Sequence, residues 1–192
     1  MRVSRLVAFW FGILGFGLPM NATAQDAGLT PTLSRLDTQI AGLPITVARN
    51  GPACPPACLQ PMEAAPGVTP MGEAELVAFL AGPAAEMQGI VVDARSPEDH
   101  AQGTLPGAIS LPGATLRSDN PYRAELLAAL GLAPGRSPEH ALVVFGQGPL
   151  DPAPVAALRA LYEAGYPQEK LHYYRGGLDV WTALGLTVGP GS

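Results

Sequence analysis

Residues 141–145 read Ala-Leu-Val-Val-Phe and pass directly into Gly146-Gln147-Gly148-Pro149, then into a helix-like stretch over 151–164. A short apolar run without polar alternation is the pattern of a strand buried on both faces, and such a strand needs a layer on each side of its sheet. A strand that ends in a tight glycine-rich turn and feeds a helix also points several backbone N–H groups at one spot. That is a place to hold an anion or to activate a nucleophile. Here the first residue of the turn is Gly146, which has no side chain and therefore no nucleophile.

Candidate elements alternate on either side of this strand. A helix is expected over 71–80, with Leu76, Val77 and Leu80 as its apolar face, then a buried strand over 89–93 that ends in Asp93. A helical turn over 97–101, a return to the sheet over 106–111 and a helix over 121–130 follow, the last with Tyr122, Leu126, Leu127 and Leu130 inward and Gly131 as its stop signal. After the helix over 152–164 come a short strand at 171–173, the turn Gly176-Gly177 and a final helix through Val180, Trp181 and Leu184. Strands alternating with helices predict an α/β fold, a single domain with a central, mostly parallel sheet flanked by helices. Tyr162, Tyr166, Tyr173 and Tyr174 are expected to pack around the sheet edge.

The chain changes character near residue 70. Residues 25–69 are rich in proline and glycine and read as an extension of the domain at 70–190. A short helix is expected within 29–43 and an edge strand within 44–48. From 51 to 70 there are six prolines, which neither continue a helix nor donate to a sheet. An extended, semi-rigid loop is the expected result, resting Cys58, Leu59, Met62 and Val68 on the domain.

The N-terminus has the pattern of an export signal. Arg2 and Arg5 precede an apolar run over 6–18, and Ala22-Thr23-Ala24 offers small residues for cleavage before Gln25. This places residues 1–24 in a signal peptide and the protein in the periplasm, with no transmembrane span after cleavage. Removing 1–24 takes two of the 11 basic residues and none of the 16 acids, leaving 9 against 16 and a net charge of −7. Lys170 is the single lysine and no basic cluster exists, so nucleic acid is not an expected partner.

Two stretches carry a family resemblance. Val91-Val92-Asp93-Ala94-Arg95-Ser96-Pro97-Glu98-Asp99-His100, followed by Gly103-Thr104-Leu105-Pro106-Gly107-Ala108-Ile109, resembles the first signature of rhodanese-like domains. Tyr174-Arg175-Gly176-Gly177-Leu178-Asp179-Val180-Trp181 resembles the closing signature. Asp93 at a strand end can accept backbone N–H groups and pair with Arg95 as a fold-locking ion pair. Gly107 permits a tight entry to the next strand, Gly176-Gly177 allow positive φ or close backbone approach, and Trp181 covers the core nearby.

In the rhodanese family a cysteine immediately after the central strand accepts a sulfane sulfur, in a loop whose amides stabilise the anionic persulfide. The resemblance maps that position onto Gly146. It makes Gly146, Gln147, Gly148, Pro149 and Asp151 a degenerate active-site loop. Pro149 removes an N–H donor, and Asp151 at a natural N-cap position takes the helix amides and repels an anion. The histidine usual before the Pro-Gly-Ala of the first signature is Thr104 here.

Cys54 and Cys58 are the only cysteines. Their three-residue spacing departs from the two-residue spacing of thioredoxin-like redox motifs. A small structural disulfide, feasible when the Cα atoms lie about 4.4–6.8 Å apart, is one reading. A thiol-dependent sulfur carrier or redox pair beside the loop is another, and soft Cu(I) ligation with Met62 is a third. His100, His140 and His172 are expected on the surface or in satisfied structural positions rather than as general bases. No metal or other cofactor is expected. The combined reading is an exported, catalytically inactive binding or accessory module with a periplasmic protein partner, in sulfur or oxidation metabolism. Intact mass of the exported protein should correspond to a chain beginning at Gln25; a chain beginning at Met1 contradicts cleavage.

Overall fold

The computed structural model describes residues 28–49, 51–133, 135 and 137–191. Residues 1–24, expected to be a signal peptide, lie outside the described residues. The sheet runs in the order β3 (Thr69–Met71), β7 (Leu171–Tyr174), β6 (Ala141–Phe145), β4 (Gly89–Asp93) and β5 (Ile109–Ser110), and every pairing is parallel. The helices are α1 (Glu73–Phe79), α2 (Pro97–Gln102), α3 (Arg123–Ala129), α4 (Ala153–Glu163) and α5 (Gly177–Ala183). The expected α/β architecture is therefore present.

β6 shows why the sheet needs two layers. Leu142 and Val144 join a cluster with Leu127 and Leu130 at α3 and with Val155, Leu158 and Leu161 of α4. Val143 and Phe145 face the other way, into a cluster with Leu76 and Phe79 of α1 and Trp181 of α5. All four of these β6 side chains are fully buried. Successive side chains of a strand alternate between faces, so an unbroken apolar run feeds both cores at once.

Register then places the site. β4 and β6 pair from Gly89 with Ala141 through Asp93 with Phe145, and Phe145 is in turn level with Tyr174. The three central strands therefore end together, and the segments following Asp93, Phe145 and Tyr174 leave from one edge. In open parallel sheets ligands bind beyond this carboxyl edge.

Several expectations are corrected. The segment expected as a helix within 29–43 instead holds strand β1 (Leu36–Ile40), while the edge strand expected within 44–48 is present as β2 (Leu43–Val47), and the two pair as a hairpin. Its apolar residues recur with period two rather than 3.6, and Ala41 and Gly42, both at positive φ (51° and 80°), make the tight connection. Val77 and Tyr122 are exposed, and Phe79 takes the place expected of Val77 on the inner face of α1. Gly131 does stop α3, at φ 90°. In the extension Cys58 and Val68 are buried, but Leu59 and Met62 are exposed. Tyr166, Tyr173 and Tyr174 are core residues, whereas Tyr162 remains partly exposed.

The extension is tied to the domain by backbone carbonyls. Ala64, Ala65 and Val68 enter the α3/α4 core, and Arg159 Nε donates to the Ala64 carbonyl at 3.0 Å. The Gln60 N–H donates to the Pro149 carbonyl at 2.9 Å, and Arg175 Nε donates to the Gln60 carbonyl at 2.8 Å. Cys54 and Cys58 form a disulfide with Cα atoms 4.7 Å apart. Arg49 gathers the carbonyls of Gly28, Pro52 and Ala57 around this bridge.

The bridge closes a very small ring, so its contribution is expected to be about 1–3 kcal/mol. Alkylation of the oxidised protein should label neither cysteine. Reduction should speed hydrogen exchange across 51–60 while the melting of the 70–190 domain moves little; a collapse of the whole domain on reduction contradicts this.

Candidate functional site

The edge after β4 is organised by one buried carboxylate. Asp93 Oδ1 accepts from the Arg95 N–H at 3.1 Å and from Arg95 Nε at 3.0 Å. Its Oδ2 accepts from Arg95 Nη2 at 2.6 Å, Thr104 Oγ1 at 2.7 Å and His100 Nδ1 at 3.0 Å. Asp93 and Thr104 are almost inaccessible, and Arg95 and His100 are buried beside them. Burial alone pushes the Asp93 carboxyl up, but hydrogen bonds from Arg95, Thr104 and His100 outweigh it and hold it below the usual carboxylate range.

The expected Asp93–Arg95 pair is present, and it is larger than expected. His100, expected at the surface, is buried within it. Ser96 caps α2 by accepting the Asp99 N–H at 3.1 Å, which turns the short helix so that His100 faces back toward the strand end. Because the ionised carboxylate accepts at Nδ1, His100 carries its proton there, and its Nε2 has no partner among the described residues. Thr104 donates the hydroxyl that completes the cluster.

Arg95 also joins this cluster to the loop after β6. Its Nη1 donates to Gln147 Oε1 at 3.1 Å, and Gln147 Nε2 donates to Asp179 Oδ1 at 2.5 Å. Asp93, Arg95, Gln147 and Asp179 thus form one chain of contacts across the sheet edge, from β4 to α5. The positive charge nearest the loop is spent on Asp93, and the Gln147 amide is engaged at both ends.

The loop itself is filled from within. Asp151 Oδ2 accepts the Gln147 N–H at 2.8 Å and Asp151 Oδ1 accepts the Ala153 N–H at 2.8 Å. A Cβ placed on Gly146 would lie against the Asp151 carboxylate and 2.8 Å from Pro154 Cδ. The space where a side chain at 146 would begin is already occupied by an anion. On the other side, the Leu178 and Asp179 N–H groups donate to the Gly146 and Gln147 carbonyls at 3.1 and 2.8 Å. Gly177, at φ 62°, lets α5 approach this closely; a Cβ there would meet the Gly146 and Gln147 backbone. Trp181 is buried beneath the turn, edge-on to Tyr174, with its Nε1 donating to the Thr187 carbonyl at 2.8 Å.

Above the loop is an open cleft of about 700 Å³ whose walls include Ala94, Ser96, Pro97, Pro112, Gln147 and Asp151. A smaller hollow of about 280 Å³ lies where Pro52, Pro56 and Ala57 of the disulfide loop meet Gln147, Gly148 and Asp151. Cys54 and Cys58 are therefore in a loop that borders the 146–151 loop, with both sulfurs in the bridge rather than free as thiolate ligands. Among the described residues no group of three or more His, Cys, Asp or Glu is arranged to hold a metal ion, and no helix is long and apolar enough to cross a membrane.

The profile of the rhodanese-like domain family matches residues 74–184, more than half of the chain. The chain belongs to the rhodanese-like domain family. Among solved structures, the thiosulfate sulfurtransferase of Pseudomonas aeruginosa is 26% identical with a TM-score of 0.50. The similarity covers 68% of this chain but only 22% of that one. The BH2092 protein of Bacillus halodurans is 21% identical with a TM-score of 0.50, over 65% of this chain and 77% of that one, a likeness of fold alone. A search of curated proteins gives no match. In this rhodanese-like domain the strand ends, the two signatures and the loop after the central strand meet at one edge.

Acid should weaken the domain through Asp93. In the unfolded chain a carboxyl of this kind takes up its proton near pH 3.9, while in the folded protein it stays ionised to lower pH. The unfolded state then binds more protons, so the stabilisation is complete above about pH 4 and is lost as pH falls toward the folded value. Asp93→Ala should cost about 3–5 kcal/mol in chemical denaturation because it strands Arg95 without its carboxylate. A loss below 1 kcal/mol would contradict the central role of this cluster.

Proposed function

We propose that the protein is an exported, catalytically inactive rhodanese-like module that works by binding, as an accessory to a protein partner in the periplasm. The observation that carries this reading is Asp151. Its carboxylate accepts the loop amide of Gln147 and the helix amide of Ala153, donors of the kind that would otherwise stabilise a sulfur anion. Gly146 meanwhile supplies no thiol. A second anion brought to about 4 Å from this carboxylate meets a repulsion of about 4 kcal/mol at an effective dielectric constant of about 20, roughly a thousandfold in affinity. The amides are thus both occupied and guarded.

Export is supported by the arginine-flanked apolar run over 6–18 and by a disulfide, which persists in oxidising compartments. A place in sulfur or oxidation metabolism is part of the same proposal, suggested by the family and the proposed compartment. A second reading is favoured by the hollow shared between the disulfide loop and the 146–151 loop. In that reading Cys54 and Cys58 exchange with a partner dithiol: two electrons and two protons pass to the bridge, giving two thiols here and one disulfide on the partner.

Purified protein should turn over thiosulfate and cyanide no faster than the uncatalysed mixture. Gly146→Cys should remain inactive and lose about 1–3 kcal/mol of stability, since the new side chain must displace Asp151 and Pro154. Turnover by the wild type that survives Cys54→Ser together with Cys58→Ser overturns the inactive reading. Turnover abolished by those substitutions favours the thiol-dependent one.

A further inference from the structure

The hairpin of β1 and β2 has an apolar face that is exposed among the described residues. Directly opposed residues of an antiparallel pair share a face, so the pairs Leu36–Val47, Thr38–Ile45 and Ile40–Leu43 put five aliphatic side chains and one threonine on one side. The other side carries the pairs Asp37–Thr46 and Gln39–Pro44, with Arg35 donating to Asp37 at 2.7 Å and to Thr46 at 3.4 Å. Every residue of both strands is exposed. On the apolar side this reaches 63% for Ile40 and 66% for Leu43, and no described residue covers it.

An isolated two-stranded hairpin is marginal in water without packing on its apolar face. This one carries the alternation of a half-buried sheet, apolar on one side and polar on the other. We propose that the hairpin is the dimer interface of the protein, with two copies packing their apolar faces together across a two-fold axis.

A second copy fits this face better than the other occupants. The face has no charge, and the charges beside it, Arg35 and Asp37, are bonded to each other on the opposite side. Nothing electrostatic on the face selects an unlike partner. An uncharged aliphatic patch is complementary to itself, as a two-fold contact requires, and homodimer interfaces are the more apolar class. A membrane surface calls for basic residues around the patch, yet Arg49 at the base of the hairpin is occupied by the Gly28, Pro52 and Ala57 carbonyls.

The area also sets the strength. Five partly exposed aliphatic residues offer on the order of 500 Å² per copy, so a face-to-face pair buries about 1,000 Å², the lower bound for a specific interface. The expected dimer is therefore a weak, reversible one, with two thin sheets stacked about 10 Å apart and Thr38 and Ile45 of each copy near the axis.

Sedimentation velocity of the purified protein from about 1 to 100 µM should show the mass doubling with concentration. Ile40→Asp combined with Leu43→Asp should keep the protein monomeric throughout, with its circular dichroism and melting unchanged, whereas Gln39→Glu on the polar face should dimerise like the wild type. Because two aspartates could unfold the hairpin itself, a second measurement uses Thr38→Cys, which a thiol-reactive crosslinker spanning about 10 Å should join into a covalent dimer while Gln39→Cys is not joined.

A protein that stays monomeric to 100 µM overturns the proposal. So does a dimer untouched by the double substitution with no Thr38→Cys crosslink. A monomer that floats with neutral phosphatidylcholine vesicles assigns the face to a membrane instead. A monomer whose hairpin amides are protected from exchange assigns it to another segment of the same chain. Either result overturns the dimer.

Discussion

The geometry of this protein depends on the buried ion pair at the end of β4. Asp93 accepts both charged and neutral donors from Arg95, Thr104 and His100, and an ion pair in such a place is tolerated only when its remaining valences are met. Meeting them draws together the end of the strand, helix α2 and the segment entering β5. Arg95 then has one nitrogen left, which reaches Gln147. The position of the loop after β6 is therefore coupled to the network after β4, although more than fifty residues of chain lie between them.

The loop after β6 likewise finds acceptors for its amides within the chain. A glycine-rich turn ahead of a helix exposes amides that must find acceptors. Asp151 supplies a carboxylate to the amides of Gln147 and Ala153, and the first amides of α5 turn to the carbonyls of Gly146 and Gln147. These amides are satisfied within the chain and do not call for a bound ligand.

Much of this was legible in the sequence, for identifiable reasons. The run at 141–145 is apolar throughout and the strand at 89–93 is apolar up to its terminal Asp93, which marks both as central strands. The two signatures place Asp93 beside Arg95 and the glycine pair beside the loop because those contacts are local or carried by a named turn. His100 was misplaced because an isolated histidine on a short helix gives no sign of which way it faces; the cap at Ser96 was the available signal. The role of Gln147 was invisible, since its partners Arg95 and Asp179 come from distant segments brought together only by strand register. The hairpin at 36–47 was misread as part helix because proline-rich surroundings obscured a period-two pattern that its own residues display.

Gly146 and Asp151 are best understood as one arrangement rather than two changes. With glycine at 146, the carboxylate of Asp151 can lie against the start of the turn. With any larger residue there, that carboxylate and Pro154 must move. The reverse also holds, because an Asp151 that withdraws leaves the Gln147 and Ala153 amides without their acceptor. Each residue makes the other favourable, and because Pro154 belongs to the buried face of α4, a larger residue at 146 is felt by the scaffold as well as by the loop. This rhodanese-like domain therefore keeps its architecture with a carboxylate capping the amides of its central loop, and Gln147 and Asp151 of that capped loop form part of the wall of the open cleft.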